Sequence, residues 1–305
     1  MNLTIDGILS ATVRMAAPLL LASMGGLFSA KSGMISLYME GFMLIGAFCG
    51  YLGAVFFGSL LIGVLCAIAG GMLFGLIYGV LGVSARADQT IVCVGINVFA
   101  LGLTSYLYSI LFGANRVYNV PTFQDLPIPV LSKIPVIGGM FSSTLLVYLA
   151  FALLPLVWYI FYRTPAGLTI RAAGEHPKAV ETLGGNVIAV RYGCLLAAGA
   201  LNGLAGCALT IGQSGQFMEN ITSGKGYIAV AALIFGKFSP GGILLATLLF
   251  GFTDALQLRI QTAEVGIPHQ LLTMLPYLIT LAALVFFAKK AHAPAALGRP
   301  YQRQS

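Results

Sequence analysis

The sequence predicts an all-α polytopic membrane protein, and three observations support that prediction. The 305 residues are 58% hydrophobic and only 8% charged, which excludes a soluble globular domain. Runs of about 20 apolar residues, enough to cross roughly 30 Å of hydrocarbon, recur along the whole chain. The 38 glycines allow helices to approach one another closely, as packed bundles in lipid require.

We predict about nine transmembrane helices, within a range of eight to ten, in a single transmembrane domain over residues 1–305. The apolar spans lie near residues 9–29, 41–57, 60–82, 90–112, 144–162, 191–211, 227–237, 242–258 and 270–288. The run at 227–237 is too short to cross a bilayer unless it borrows residues from its flanks.

Three polar segments set the predicted orientation. Residues 113–143 are rich in proline and form an extracytoplasmic loop, whereas the net-basic segment 163–190 and the basic tail 289–305 are cytoplasmic. The N-terminus is then outside and the C-terminus inside. This arrangement places eleven Lys and Arg residues inside and four outside, as the positive-inside rule requires. The tail is expected to be a solvated end that sets orientation.

Two parts of the chain echo one another weakly. A span that begins at Val13-Arg14 is followed by SAKSG and EGFMLIGAF, and a span that begins at Val190-Arg191 is followed by IGQSG and GKGYIAVAALIFG. The units are an odd number of crossings apart, so they form an inverted repeat with interrupted helices, which marks the translocation path of many transporters. Chance similarity between glycine- and alanine-rich spans is the alternative.

Two polar segments interrupt the apolar pattern in corresponding places: KSGMISLYMEG (Lys31 to Gly41) and GQSGQFMENITSGKG (Gly212 to Gly226). Polar residues at these interruptions and inside the spans are the candidates for a solute pathway. Non-helical backbone at membrane depth persists only where protein or a water-filled cavity satisfies it. An ordinary cytoplasmic loop with an acidic helix cap is the alternative for the first interruption, and structural pairing is the alternative for an intramembrane Asp. For the two asparagines, hydrogen bonding between helices is the favoured interpretation. The candidates are Ser36, Tyr38, Glu40, Asn97, Asn202, Asp254 and Gln257.

The segment EHPKAVETLGG predicts a very short cytoplasmic helix. Pro177 suits a first helical turn, and Gly184 suits a helix end. About seven residues give roughly 10 Å of helix, long enough to dock in a groove of a soluble partner. Its apolar face has nothing obvious in its own chain to pack on, and consists of Ala179, Val180 and Leu183.

No pattern in the sequence predicts an enzyme or a cofactor site. The three histidines are far apart, and no GxSxG, HExxH or paired-carboxylate arrangement occurs. The five cysteines are scattered through apolar runs and predict neither a disulfide nor a metal site. There is no GxxxxGK[ST] phosphate loop, so any ATP would be bound by another polypeptide. The cations are spread over loops, which does not favour nucleic acid.

The order of segments resembles the permease subunits of bacterial ABC importers for simple sugars, branched-chain amino acids and nucleosides, most closely the nucleoside-type permeases. The stretches that carry the resemblance are PLLLASMGGLFSAKSG…EGFMLIGAF, DQTIVCVGINVFALGLTSYLY, RTPAGLTIRAAGEHPKAVETLGGNV and GYIAVAALIFGKFSPGGILLATLLFGFTDALQ. The resemblance implies a cytoplasmic-membrane importer with an ATP-binding cassette subunit, a second homologous permease and an extracytoplasmic solute-binding protein. The ATPase-coupling positions that it implies are Arg171, Glu175, Ala179, Leu183 and Gly184.

Two functions therefore stand at the level of sequence. The first is a permease subunit that moves a nucleoside, nucleobase or simple sugar by alternating access, driven by a separate ATPase. The alternative is an ion-coupled secondary transporter that uses Asp254 and Glu40 as coupling carboxylates. Relatives usually carry Asn-aliphatic-Gly-aliphatic-Glu-Gly before the second span, where Ser36 and Tyr38 replace the Asn and the Gly here. If this element lines the solute path, we expect the solute to differ from the nucleosides that the wider resemblance implies.

Overall fold

The computed structural model describes residues 5–113, 118–128, 138–262, 274, 278–279, 282 and 293–302, and this part of the chain is mostly helical. Its helices are α1 (Ile5–Lys31), α2 (Met39–Phe57), α3 (Leu60–Gly79), α4 (Gln89–Phe112), α5 (Leu145–Arg163), α6 (Pro165–Glu175), α7 (Pro177–Thr182), α8 (Val187–Leu209), α9 (Lys225–Phe235) and α10 (Pro240–Thr262). A π-helical turn extends α3 over Val80–Ser84, and another extends α8 over Thr210–Ser214. Strands β1 (Asp125–Pro127) and β2 (Ser142–Thr144) pair antiparallel in the segment between α4 and α5.

The predicted all-α polytopic membrane fold is confirmed. Within the described ranges, seven helices are long and apolar enough to cross a membrane: α1 to α5, α8 and α10. The short span predicted at 227–237 is α9, whose 11 residues rise only about 16 Å. The span expected at 270–288 lies largely outside the described residues, so the count of nine is not confirmed.

Local side-chain chemistry fixes where several helices begin. The Asp88 carboxylate accepts hydrogen bonds from the backbone amides of Thr90 and Ile91 at the start of α4, at 2.8 and 3.0 Å. Asn186 caps α8 in the same way through the Ala189 amide. Each of these caps satisfies amides that a helix leaves without partners in its first turn.

The centre of the bundle is held together by glycines. Gly199 and Gly203 of α8 bring its backbone against the backbone of α3 at Gly71 and Ala67. A side chain added at Gly206 would overlap the carbonyl oxygen of Met43 on α2. Helices in lipid gain stability from this close packing, because lipid tails give no hydrophobic drive to associate.

Helices α1 and α8 pack antiparallel along their whole length. Gly25 lies against Asn202 in the middle of the pair, and Gly33 beyond the end of α1 lies against Arg191 near the start of α8. At the opposite end, the Gln213 side chain donates a 3.0 Å hydrogen bond to the carbonyl of Arg14. This is the relation that the two units of an inverted repeat require.

The outer faces of α3 and α4 carry exposed apolar side chains, as expected of surfaces that meet lipid or another membrane subunit. They include Leu61, Leu65, Leu73, Leu76, Val94, Val98, Phe99 and Ile110. The exposed apolar faces agree with a multi-pass membrane protein.

The prediction of a solvated tail is wrong for residues 293–302. The backbone amide of Ala296 donates to the carbonyl of Gly174 on α6 at 2.9 Å, and that of Gly298 donates to the carbonyl of Gly33 at 3.0 Å. Ala296 is buried. The positive charge of the tail predicts its side of the membrane, but the turn at Ala295–Gly298 lets its backbone dock on the bundle.

Candidate functional site

The first interruption, residues 32–38 between α1 and α2, is closed and buried. The Ser36 hydroxyl donates to the carbonyl of Gly26 at 3.0 Å and lies 2.8 Å from the hydroxyl of Ser29. The Tyr38 hydroxyl donates to the Ser29 oxygen at 2.6 Å. Complete burial raises the pKa of the Tyr38 phenol well above its ordinary value, so this hydroxyl stays protonated. The polar atoms of Ser36 and Tyr38 are therefore satisfied inside the bundle.

Glu40 lies in the first turn of α2, yet its carboxylate binds the start of α9. Its Oε1 accepts from the Thr222 hydroxyl at 2.5 Å and the Gly224 amide at 2.9 Å, and its Oε2 accepts from the Gly226 amide at 2.7 Å. Only 8% of Glu40 is exposed. A carboxylate at a helix N-terminus satisfies free amides and meets the positive end of the helix dipole. Glu40 thus joins the two interrupted regions.

Asn97, in the third turn of α4, binds both sides of the same junction. Its Nδ2 donates to the Leu37 carbonyl at 2.9 Å and to the Tyr227 hydroxyl at 3.1 Å. Its Oδ1 accepts from the Gly41 amide at 2.9 Å. The structure therefore brings together three predicted positions, Tyr38, Glu40 and Asn97, around the starts of α2 and α9.

Asn202 lies apart from that junction, fully buried between α8 and α1. Its Nδ2 donates at 2.8 Å to the carbonyl of Ala198 on its own helix. Its side-chain amide also packs against Gly25 of α1, where it fills the space that a side chain at position 25 would need. Its side-chain hydrogen bond thus stays within α8, and packing connects it to α1.

The second interruption, residues 215–224, is open where the first is closed. Phe217 anchors it against Phe48 and Tyr108, with ring centroids 5.2 and 5.3 Å away. After this anchor the chain exposes three polar side chains, those of Glu219, Asn220 and Ser223. The sequence analysis identified this segment as an interruption but did not single out these three residues. The adjacent polar pair Glu219 and Asn220, between two glycine-containing turns, could have indicated them.

The backbone of this open segment takes an unusual conformation. Asn220 and Ser223 have positive φ angles of 54° and 44°, which residues with a side chain seldom adopt. Such strain persists only where surrounding contacts impose it, and it concentrates at functional sites. The contacts of Thr222 and Gly224 with Glu40 supply that constraint here.

Asp254 and Gln257 are partly buried on α10, one helical turn apart on a common face. Asp254 lies within electrostatic range of the Lys225 ammonium group at the start of α9. Lys225 immediately follows Gly224, which binds Glu40. Asp254 therefore lies near the start of α9, and Gln257 lies one turn further along α10.

The short helix predicted at 177–184 is confirmed as α7. Pro177 occupies its first turn, and Gly184 takes a φ of +81° after its last turn. The Gly185 amide closes the helix end by donating to the carbonyl of Val180 at 2.8 Å. A left-handed glycine after the last turn commonly stops a helix in this way.

The apolar face of α7 is divided. Leu183 is 89% exposed, and Ala179 and Gly184 are exposed as well. The expectation that the whole face lacks a partner in its own chain is wrong for Val180, which is buried against Ala173. Folding back of α6 and the start of α8 supplies that cover, which α7 alone does not reveal.

The other two predicted coupling positions contact their own chain. The Arg171 Nε donates to the Gly167 carbonyl at 3.4 Å, and its guanidinium carbon lies 5.2 Å from the centre of the Tyr162 ring. The Glu175 carboxylate accepts a 3.1 Å hydrogen bond from the backbone amide of Ala295 in the tail.

Long apolar helices around an interrupted polar junction, with a short polar-flanked helix exposed at one end, define a polytopic membrane transporter. Non-helical chain between half-length helices is the arrangement in which transporters place their solutes. The chain belongs to the family described as branched-chain amino acid transport system / permease component, whose model matches residues 8–284. It is a permease of the ABC transporter class, and its relatives are transport permeases rather than enzymes.

Three curated relatives match almost the full chain. The guanosine ABC transporter permease protein NupQ of Bacillus subtilis (strain 168) is 40% identical over 96% of both chains. The nucleoside ABC transporter permease protein NupC of Lactococcus lactis subsp. cremoris (strain MG1363) is 35% identical over 94% of this chain and 93% of its own. The putative glucose ABC transporter permease protein TsgC13 of Haloferax volcanii is 32% identical over 98% of both. The predicted family resemblance is confirmed.

Proposed function

We propose that this chain is the membrane-spanning subunit of an ATP-driven importer for a nucleoside or nucleobase. The observation that carries the proposal is its similarity, over more than nine-tenths of its length, to permeases named for guanosine and for nucleosides. A simple sugar is the next candidate, because a relative named for glucose is 32% identical. The solute crosses by alternating access, and the chain itself performs no bond chemistry.

The open segment 215–224 is the proposed contact surface for the solute. Its exposed carboxylate, amide and hydroxyl groups provide donors and acceptors that suit ribose hydroxyls and base edges. Asp254 and Gln257, on the adjacent helix α10, are further proposed contacts for the solute. The buried positions Ser36, Tyr38, Glu40, Asn97 and Asn202 support the proposal differently, because their contacts hold the junction and the bundle in place.

The coupling region 163–190 is the proposed contact with a cytoplasmic ATP-binding cassette subunit, which binds the ATP. Leu183, at the C-terminal end of α7, is 89% exposed and offers an apolar side chain of the kind that marks interaction surfaces. Further proposed partners are a second homologous permease beside this chain in the bacterial cytoplasmic membrane and a solute-binding protein at the extracytoplasmic loop 113–143. The N-terminus is then outside and the C-terminus inside.

The test is reconstitution of the chain with its ATPase and binding-protein partners in liposomes, followed by uptake of guanosine, guanine, glucose and leucine. We expect ATP-dependent uptake of guanosine or guanine. Leucine uptake alone would remove the solute class, and uptake by the chain alone on an ion gradient would favour the secondary transporter.

A matched pair of variants tests the coupling surface. Leu183→Asp places a charge within the proposed ATPase contact, so co-purification of the ATPase and solute uptake should both be lost. Leu126→Asp makes the same change at an exposed position in the extracytoplasmic hairpin. It should leave ATPase binding intact; equal binding by both variants would refute the assignment of α7.

A further inference from the structure

A buried arginine joins the tail to the bundle. Arg191 in α8 is only 1% exposed. Its Nε donates to the Ser32 carbonyl and its Nη1 to the Arg299 carbonyl, both at 3.2 Å. The guanidinium carbon also lies 5.9 Å from the centre of the Tyr301 ring. Burying a cation is costly unless several acceptors receive it, so these contacts hold α8, the first interruption and the tail in one arrangement.

The tail, residues 293–302, also contacts the coupling region. The Tyr301 hydroxyl donates a 2.5 Å hydrogen bond to the Glu181 carboxylate of α7. The Ala295 and Ala296 amides bind Glu175 and Gly174 at the end of α6. The tail and α7 line an open pocket of about 790 Å³ together with the end of α6. The tail therefore bridges α7 to the first interruption, which it reaches at Gly33.

The equivalent arginine of the other repeat unit has an analogous position at the opposite end of the bundle. Arg14, which follows Val13 as Arg191 follows Val190, binds the Asp125 carboxylate at 2.6 Å and the Ser142 carbonyl at 2.9 Å. Each Val-Arg pair thus fastens a non-helical segment to one end of the bundle. The contact of Arg191 with the tail therefore corresponds to the contact of Arg14 with strands β1 and β2 in the other repeat unit.

We propose that tail residues 293–302 are a working part of the coupling region, with Tyr301 and Arg191 as positioning residues. Val180 is the one buried residue of α7, so the helix by itself has little hold on the bundle. The tail adds a second hold and connects α7 to residues 32–38. Movement of α7 then reaches the start of α2 and, through Glu40, the start of α9. This inference rests on the proposed ATPase contact at α7.

The experiment compares variants in the reconstituted complex by ATPase co-purification, ATP hydrolysis and solute uptake. Tyr301→Phe and Glu181→Leu each remove the hydrogen bond, and we expect solute transported per ATP to fall about fivefold, the effect of one lost hydrogen bond. Glu181→Gln keeps an acceptor and should retain the wild-type ratio. Thr90→Ala, at an exposed position at the start of α4 and outside the tail, is the control. A chain that ends at His292 should lose more than either point variant.

The outcomes separate this inference from the proposed function. Absence of ATP-driven uptake by the wild-type complex refutes the function before any variant is compared. Wild-type uptake per ATP in Tyr301→Phe and Glu181→Leu overturns the role of the tail, and so does loss of ATPase co-purification in these variants, because the tail would then be a docking surface. If the shortened chain does not fold, the point variants alone decide between these outcomes.

Discussion

The two interruptions of the bundle occupy corresponding places in the chain but have opposite characters. Residues 32–38 are packed inside, where Ser36 and Tyr38 bind Ser29. Residues 215–224 expose Glu219, Asn220 and Ser223 and hold two of them at positive φ. One interruption has become an anchor and the other a polar surface. Interrupted chain therefore indicates where a transporter works, but burial decides which interruption can meet the solute.

The largest effect is expected from breaking the link between the two interruptions. Glu40→Ala leaves the Thr222 hydroxyl and the Gly224 and Gly226 amides without their acceptor, which should cost about 3 kcal/mol or more of unfolding free energy. Thermal unfolding of the purified protein in detergent measures the loss. Glu219→Ala removes an exposed carboxylate and is the control with an unchanged unfolding temperature. Equal stability of the two variants would contradict the anchoring role of Glu40.

A change confined to the open interruption should affect transport and leave stability unaltered. Glu219→Gln removes a charge that the bundle does not use, and we expect solute uptake at saturating binding protein to fall about tenfold, or 1.4 kcal/mol. Asn220→Gly removes a second polar side chain while keeping a residue suited to positive φ. Wild-type uptake by both variants would place the solute elsewhere.

The smallest effect is expected in the closed interruption. Tyr38→Phe removes the hydrogen bond to Ser29 and should cost about 1 kcal/mol of unfolding free energy. Because Tyr38 is fully buried, the relative uptake of nucleosides, nucleobases and sugars should stay the same. A changed solute preference would show that this departure from the usual family pattern does reach the path.

The sequence correctly predicted the features that depend on residues close together in the chain. Apolar run length located the helices, and Pro177 with Gly184 located α7, because propensity and capping act within a few residues. It failed where a contact joins distant parts of the chain. Glu40 looked like a cap for its own helix, whereas one of its partners, Gly226, lies 186 residues away. Arg191 looked like an orientation charge until the fold placed the tail beside it.

The shortness of α9 changes the electrostatic problem that a polar solute faces. Helix covers only about 16 Å of the roughly 30 Å hydrocarbon layer at this position. Residues 215–224 lead into this short helix, and their polar groups and peptide dipoles form a medium of higher dielectric constant than lipid. The insulating thickness next to them is therefore about half that beside a full-length helix.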